Sequence, residues 1–374
     1  MPSEHAALLK DSVADFIERG MDIARVRALR DTPGEYDRAV WRQMADLGWL
    51  GISIPEAYGG MGLGLSEAAI VAEGLGRALA PEPYTACAVL AASAIAASDN
   101  EALKQDLLPA IAAGERIAAL AWQEEPGALD AGHIAARATP FEGGYRISGA
   151  KRYVSGAAGA DAYVVAARSD AGLVLGVVER DAAGVSLELQ AIADGRHFGT
   201  LALDDAVLPR EKIAATGEAA GAALARALDR ASAIASAELY GVMSRALEMS
   251  VDYMKTRVQF GKPIGSFQAL QHRAVDLYIQ QQLASAVLDD SLRALDAEPE
   301  AGVRAGIASR LKARCSDAAV RITREAIQIH GAIGFTDEYD AGLYLKRALV
   351  LAAWLGNGAQ HRRRYASLAL KAQA

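Results

Sequence analysis

The amino-acid sequence predicts a mainly α-helical protein with a central antiparallel β domain. Helical periodicity fills the first third of the chain, short apolar runs fill the middle, and long helical stripes fill the end. Because helices come first, then strands, then long helices, the chain lacks the alternation of strands and helices that a parallel sheet requires. We predict an N-terminal helical domain at 1–113, a middle β domain at 114–214 and a C-terminal helical bundle at 215–374.

In the N-terminal region, apolar residues recur every three or four positions, which is the spacing of one face of a helix. Two such runs lie at 9–17 and 40–47, and each is followed by a glycine, a residue typical of a helix end. A glycine-rich loop at 55–64 precedes a further helix. Because serine is a favoured N-cap, Ser66 is the predicted start of that helix.

From about Gly114 the pattern changes to short apolar runs separated by Gly, Asp and Pro, which predicts strands. After Gly217 helical periodicity returns in three stripes, each on a helix of about thirty residues. Helices of that length bury their stripes against one another as a bundle. The predicted strands lie at 117–122, 145–148, 163–167 and 173–179.

The composition excludes several classes of protein. Lys and Arg number 39 against 46 Asp and Glu, and the formal charge of −7 argues against a surface that binds nucleic-acid phosphates. Cys87 and Cys315 lie far apart with no metal-ligand spacing, so we predict neither a disulfide framework nor a zinc site. No signal peptide is evident, and no stretch reaches the roughly 18 apolar residues of a membrane-spanning helix. We therefore expect a cytoplasmic protein that binds no metal, membrane or nucleic acid.

Common catalytic motifs are missing from the sequence. It contains no H-E-x-x-H, no G-x-S-x-G and no Walker lysine loop, and its six histidines are scattered. The run from Gly60 to Gly64 lacks the full G-x-G-x-x-G spacing and lies in a helical region, which argues against a Rossmann dinucleotide site. Two charged clusters have simple interpretations. The cluster at 361–364 is interpreted as a solvated helix end, with phosphate binding as the alternative, and the pair at 124–125 as a solvated loop, with a place in the substrate pocket as the alternative.

The most informative segment runs from Tyr253 to Asp276. It ends one long helix, turns at a glycine-rich stretch and begins the next helix near Ser266. Arg257 offers a fixed fork to a phosphate, Phe260 offers an aromatic face, and Gly261 lets a ligand approach the backbone. The alternative is a plain connection whose arginine stabilises the C-terminus of the first helix. The residues alone leave both interpretations open.

Three motifs resemble signatures of the acyl-CoA dehydrogenase family. R-V-Q-F-G-K-P-I-G-S-F-Q at 257–268 resembles the flavin-binding R-x-x-F-G-x-x-(I)-x-x-(F)-Q signature. Q-I-H-G-A-I-G-F at 328–335 resembles Q-x-x-G-G-x-G-(Y/F), with Ala332 in place of the second glycine. I-P-E-A-Y-G-G-M-G at 54–62 resembles the N-terminal P-x-x-Y-G-G-x-G loop. Because these motifs occur in the family's order and span nearly the whole chain, the protein is identified as a member of that family.

The resemblance implies an N-terminal helical domain, a middle barrel-like β domain and a C-terminal four-helix bundle. It also implies FAD, held between domains and across a subunit interface, so that a dimer or tetramer is expected. By motif match, Arg257, Phe260 and Gln268 are expected at the ADP half of one FAD.

Two further groups of residues follow from the same resemblance. The residues expected to approach the FAD of the neighbouring subunit are Gln328, Gly331 and Gly334. The strand K-R-Y-V-S-G at 151–156 corresponds to a family strand, K-x-W-I-T-N, beside the flavin ring, and this places Tyr153 and Ser155 there. The loop at 123–130 keeps the E-P-G of the family's T-E-P-x-x-G-S-D but lacks its G-S pair.

The family's catalytic base is missing. Members oxidise an acyl-CoA thioester to the 2-enoyl-CoA: a glutamate removes the α proton while a β hydride goes to flavin N5. Counting forward from Gly331 without gaps places Leu355 at the position of that glutamate. Some relatives carry it on the first bundle helix, and counting back from Arg257 through Gly241 places Ala231 there. Because a general base contributes about 10² to 10⁴ in rate, its loss would cripple the ordinary reaction.

Three hypotheses account for this loss. In the first, the chain is one subunit of a hetero-oligomeric acyl-CoA dehydrogenase whose homologous sister chain supplies the glutamate, as in family members that act on sterol side chains, ring carboxylates or dicarboxylates. In the second, it is a self-sufficient flavoenzyme with other chemistry, such as a flavin monooxygenase. In the third, it is a cofactor-free structural subunit. A relocated base remains a further alternative, with Asp337, Glu338 and Glu125 as candidates.

Overall fold

The structure is a computed structural model that describes residues 4–30, 32 and 36–371. The N-terminal region is helical, as its periodicity predicts, and a π-helix at Thr85–Ala91 leads directly into its fifth α-helix. The helices of this region are α1 (Glu4–Gly20), α2 (Ile23–Arg30), α3 (Arg38–Asp46), α4 (Leu65–Arg77), α5 (Ala92–Ala96) and α6 (Glu101–Ala112).

Two helix starts show how local chemistry sets these bounds. The carboxylate of Asp37 accepts the N–H of Ala39 at 2.8 Å and so caps α3. At α4 the Glu67 carboxylate accepts the N–H of Gly64 at 3.1 Å, which is the second half of a capping box. The helix therefore begins at Leu65, and the prediction of Ser66 as its N-cap is wrong because glycine takes the cap and Ser66 lies in the first turn.

The middle of the chain forms one sheet. Its strands follow the order β6-β7-β3-β2-β4-β5-β8, mostly antiparallel as predicted, and β1 pairs in parallel with β4. Alanine and branched aliphatic residues fill most of the core beneath it, including Val154, Val165 and Leu201. The strands are β1 (Ala118–Ala121), β2 (Arg137–Phe141), β3 (Gly144–Ser155), β4 (Ala162–Ser169), β5 (Gly172–Glu179), β6 (Val185–Ala191), β7 (His197–Pro209) and β8 (Ile213–Thr216).

Long helices follow, as predicted. The first has 40 residues and exceeds the predicted length because helix continues unbroken from Gly217 to Thr256. A two-stranded hairpin, β9 (Val258–Gln259) and β10 (Lys262–Pro263), connects it to the second. The helices are α7 (Gly217–Thr256), α8 (Gln268–Asp296), α9 (Ala301–His330), α10 (Ala341–Ala353) and α11 (Gly358–Lys371). Across the described residues, none of the helices is long and apolar enough to cross a bilayer.

The chain divides into two compact units. One comprises Met1–Arg27, Ala69–Ala80 and Ser232–Ala374, and the other comprises Ala28–Ala68 and Pro81–Ala231. The first unit holds α8 to α11 and most of α7, and the second holds the sheet and the start of α7. The division at 1–113, 114–214 and 215–374 stays a prediction.

Within the first unit, α4 and α7 touch backbone to backbone. A Cβ on Gly76 would lie 2.2 Å from the carbonyl oxygen of Glu238, and one on Gly241 would lie 2.0 Å from that of Glu73. Since real Cβ contacts are never that short, only glycine fits at either position. Nearby, the buried Arg347 donates to Ala80 O at 2.9 Å and so ties α10 to the segment that follows α4.

Candidate active site

The flavin motif at 257–268 forms the hairpin between α7 and α8. Phe260 and Gly261 are its two turn residues, with φ of +53° and +76°. Positive φ at both positions is the geometry of a type I′ turn, whose twist matches that of the flanking strands. The Phe260 ring is 89% exposed and meets the Phe267 ring edge-on at 6.1 Å. The hairpin therefore presents an aromatic face to solvent.

Arg257 and Gln268 flank this hairpin, and both are exposed. Among the described residues, the guanidinium of Arg257 makes no hydrogen bond or ion pair, so no side-chain bond supports the view that it merely caps α7. A Cβ on Gly261 would meet nothing within 4 Å, which leaves the backbone open to a ligand. An open guanidinium, an open ring and an open backbone fit a phosphate-bearing aromatic group such as FAD.

The second flavin motif lies where α9 ends. Gly331 has φ of +66° and ψ of −139°, which glycine alone adopts readily, and it leads into a 3₁₀ turn, Gly331–Phe335. A Cβ on Gly334 would lie 2.9 Å from Ile327 O, so glycine is required at position 334 as well. Ala332 has negative φ and is exposed, which explains why alanine can replace the family's glycine there. Gln328 is exposed on the last turn of α9.

His330 anchors this second motif. Its Nδ1 lies 2.7 Å from Ala326 O and its Nε2 lies 3.0 Å from the Tyr339 hydroxyl. Because a carbonyl only accepts, Nδ1 carries the proton and Nε2 accepts from Tyr339. Burial lowers the pKa of His330 despite the carbonyl bond, so the ring is neutral. The Tyr253 ring packs on it at 4.5 Å, which joins the end of α7 to the end of α9.

The predicted flavin-ring residues lie on β3 in the other unit. Tyr153 has φ of +58° at an irregularity in the β3–β7 register between Lys151 and Val154. Its ring is half-buried and meets the Phe198 ring edge-on at 6.4 Å. Ser155 is also half-buried, two residues further along the strand. A bulge redirects side chains along a strand and is typical of positions beside an active site. The irregularity at Tyr153 therefore fits a residue that contacts a ligand.

A buried ion pair supports that strand. Lys151 is fully buried and donates to Glu124, whose carboxylate also accepts the N–H groups of Ala135 and Ala136 at 2.7 and 3.0 Å. Burial lowers the pKa of Lys151. Burial alone would raise the pKa of Glu124, but the hydrogen bonds from Lys151, Ala136 and Ala135 together lower it. The prediction that Glu124 lies in a solvated loop is wrong, because partners far along the chain desolvate it.

Both positions predicted for the base are buried and apolar. Leu355 is 3% exposed and Ala231 is 0% exposed. Leu355 follows α10 with φ of +59°, and the Nε2–H of His361 donates to its carbonyl at 2.8 Å. His361 is itself buried, so the interpretation of 361–364 as a solvated helix end is wrong at that residue. Its neighbour Arg362 pairs with Asp317.

The three candidates for a relocated base are exposed to solvent, and two of them lie near a basic side chain. The Asp337 carboxylate lies 3.5 Å from Arg27, which also binds Asp340 at 2.7 Å. Glu125 is 70% exposed and lies 3.7 Å from His133. Glu338 is exposed. None of these three side chains lies in the desolvated setting that is typical of a catalytic carboxylate.

Sequence reasoning missed one residue of this site, the buried Lys312 on α9. Its ammonium binds the segment that contains Leu355. The available signal was spacing: Lys312 comes four residues after Ala308 and three before Cys315, both of which are buried, so it shares their face of the helix.

Comparison with known proteins agrees with this fold and with the family that the motifs indicate. Residues 3–115 match the acyl-CoA dehydrogenase N-terminal domain, and residues 220–369 match the C-terminal domain. Acyl-CoA dehydrogenase FadE27 of Mycobacterium tuberculosis is 31% identical over 347 residues, which cover 90% of each chain.

Two solved structures have the same fold. A variant of the Tcur3481-Tcur3483 steroid ACAD is 29% identical with a TM-score of 0.89 and 99% coverage of both chains. The ChsE4-ChsE5 complex from Mycobacterium tuberculosis is 27% identical with a TM-score of 0.88, and the match covers 99% of this chain and 98% of that one.

Fold and motifs define a flavoprotein oxidoreductase. The chain belongs to the acyl-CoA dehydrogenase family. Membership of this family supports FAD as the cofactor, and the open hairpin and glycine turn provide residues that suit it.

Proposed function

We propose that this chain is the FAD-binding subunit of a hetero-oligomeric acyl-CoA dehydrogenase in which a homologous, cytoplasmic partner subunit supplies the glutamate base. The observation that carries the proposal is the state of position 355. A leucine is buried there in a fixed turn, while the flavin motif at 257–268 keeps its arginine, phenylalanine, glycine and glutamine. The chain thus retains what a dehydrogenase needs to hold FAD and lacks what it needs to remove a proton.

In this proposal the chain's own residues bind and orient. The Arg257 guanidinium holds phosphate oxygens with charge-assisted hydrogen bonds, and Gln268 adds an amide beside it. Phe260 packs against the ADP half, while Gln328, Gly331 and Gly334 approach the FAD held mainly by the partner. Tyr153 and Ser155 lie beside the flavin ring. When bound, FAD accepts the hydride from the β carbon of the acyl-CoA.

The solved relatives favour a paired assembly. Two of them are described as pairs, Tcur3481-Tcur3483 and the ChsE4-ChsE5 complex, and the match covers almost the whole of this chain in both cases. The first is described as a steroid ACAD, so a steroid acyl-CoA belongs among the candidate substrates together with straight, branched and ring-bearing thioesters.

The decisive experiment compares the chain alone with the chain co-expressed with a homologous subunit that carries the glutamate. Each preparation is loaded with FAD, mixed anaerobically with the acyl-CoA panel, and followed by bleaching of the flavin absorbance. We expect a stoichiometric complex that bleaches, and at least a hundredfold slower bleaching for the chain alone, because a base contributes about 10² to 10⁴ in rate.

A matched control tests position 355 directly. The Leu355→Glu variant places a carboxylate where the family's base is expected, and the Leu355→Gln variant has the same size without basicity. Gain of bleaching with glutamate but not glutamine supports the assignment. Rapid bleaching by the unmodified chain alone would contradict the proposal, and oxygen uptake driven by reduced flavin or NADPH would favour the monooxygenase hypothesis. A folded chain that binds no FAD would favour a purely structural subunit.

A further inference from the structure

Lys312 is a buried lysine on α9 whose ammonium binds the end of α10. Its Nζ donates to Leu351 O at 2.9 Å, Ala352 O at 3.3 Å and Gly356 O at 3.0 Å. The Ser316 hydroxyl lies 3.2 Å away. The last carbonyls of a helix have no partner within the helix, and a positive charge there complements the helix dipole. Lys312 therefore caps α10 from a neighbouring helix.

The same lysine reaches past the end of α10 into the turn at 354–357, which we call the base turn. In this turn Leu355 and Gly356 have φ of +59° and +93°. His361 on α11 donates to Leu355 O at 2.8 Å. Asn357 and Gln360 exchange two hydrogen bonds, at 2.8 and 3.0 Å, which start α11. Contacts from α9 and α11 therefore fix the backbone on both sides of residue 355.

The backbone of Leu355 is strained, so the surrounding contacts must hold it in this conformation. A residue with a Cβ in the left-handed region costs about 1–2 kcal/mol, and leucine has no polar group to compensate. Such strain persists only where the surroundings determine the backbone, and it concentrates at functional sites. None of the hydrogen bonds that hold the turn involves the leucine side chain. The turn is thus equally available to a glutamate.

We propose that Lys312 is a positioning residue: it holds the base turn in the shape that presents residue 355, so that this chain keeps the turn of a dehydrogenase active site after losing the base. The assignment of position 355 rests on the proposed function. The role of Lys312 in shaping the turn does not, and the two are tested separately.

The first test uses hydrogen exchange on the full-length chain. The reporters are the turn amides of Trp354, Gly356 and His361, which donate to backbone carbonyls. We expect Lys312→Met to speed their exchange at least tenfold relative to amides in the middle of α9. Lys312→Gln, which keeps two donor hydrogens, should give an intermediate effect, and it serves if the methionine variant fails to fold. Lys346→Met removes an exposed lysine on α10 and should change nothing. Unchanged exchange in both Lys312 variants would overturn the proposal.

The second test reads the positioning through chemistry. In the Leu355→Glu background with FAD bound, adding Lys312→Gln should slow flavin bleaching by acyl-CoA at least tenfold while FAD content stays equal. Equal bleaching rates with and without Lys312 would also overturn the proposal. If Leu355→Glu bleaches no flavin but the exchange result is as expected, the assignment of position 355 fails and the role of Lys312 stands.

Discussion

The flavin hairpin and the base turn differ in how their shapes are determined. The hairpin at 258–263 is exposed, and its Phe260 has positive φ although glycine or asparagine would fit better. The base turn at 354–357 is held by buried groups from two other helices. A site that receives a large cofactor must stay open, whereas a site that aims one side chain must be rigid. The proposed role of the hairpin therefore follows from its own sequence, whereas the proposed role of the base turn follows from its contact with Lys312.

The largest expected effect concerns Lys312, the buried lysine that binds the base turn. Burial lowers the pKa of Lys312 to about 7, far below that of a lysine in an unfolded chain. The unfolded state then binds more protons above pH 7, so the free energy of unfolding gains about 1.4 kcal/mol per pH unit from this lysine up to about pH 10. Below pH 7 the lysine is charged in both the folded and the unfolded state, so the free-energy cost of burying its charge is fully present.

Urea unfolding of the wild type and Lys312→Met between pH 6 and 10 measures this contribution as the difference between the two curves. Two other buried groups interact with the ammonium, Cys315 on α9 and His361 on α11, and α10 meets it with carbonyl oxygens. Burial raises the pKa of Cys315 to about 12 and lowers that of His361 to about 3, so neither changes charge in the folded protein over this range. Lys346→Met should run parallel to the wild type, and a Lys312→Met curve that does so as well would contradict the prediction.

A smaller effect concerns the exposed side. Arg257→Ala should weaken FAD binding about tenfold to a hundredfold, because charge-assisted hydrogen bonds contribute about 1.5–3 kcal/mol. Stability without FAD should change by less than about 0.5 kcal/mol, since the side chain is exposed. Equilibrium titration with FAD and thermal unfolding measure the two quantities. Arg293→Ala, at another exposed arginine, should leave both unchanged, and unaltered affinity in Arg257→Ala would remove this residue from the cofactor site.

The smallest effect would sharpen the contrast within the hairpin. Phe260→Asn should stabilise the chain without FAD by about 0.5–1 kcal/mol, because asparagine tolerates positive φ and little burial is lost at a residue 89% exposed. The same variant should bind FAD more weakly. Thermal unfolding with and without FAD shows both effects, with Leu8→Asn, at a highly exposed apolar residue outside the flavin motifs, as the control. A destabilised Phe260→Asn would mean that the ring is held for the fold and not for a ligand.

The sequence predicted the fold well because its strongest signals are local. Apolar spacing located the long helices and the strands β1, β3, β4 and β5, and the motifs located the turns after α7 and α9. It failed where a contact joins distant residues. Glu124 looks solvated beside Glu125, yet Lys151 and the amides at 135–136 bury it. Lys312 looks like one more lysine on a helix, because its carbonyl partners lie about forty residues away.

The close crossing of α4 and α7, at Gly76 and Gly241, limits how residues along α7 can be counted. Since neither helix has room for a Cβ at the crossing, inserting one residue into α7 after Gly241 would rotate the rest of that helix by about 100° relative to the crossing. The crossing therefore fixes the position of Gly241 against α4. Other positions on α7, such as Ala231 and Arg257, can be counted from it. Counting along α7 without gaps is therefore well supported near the crossing, and this supports the prediction that Ala231 occupies the position of the base.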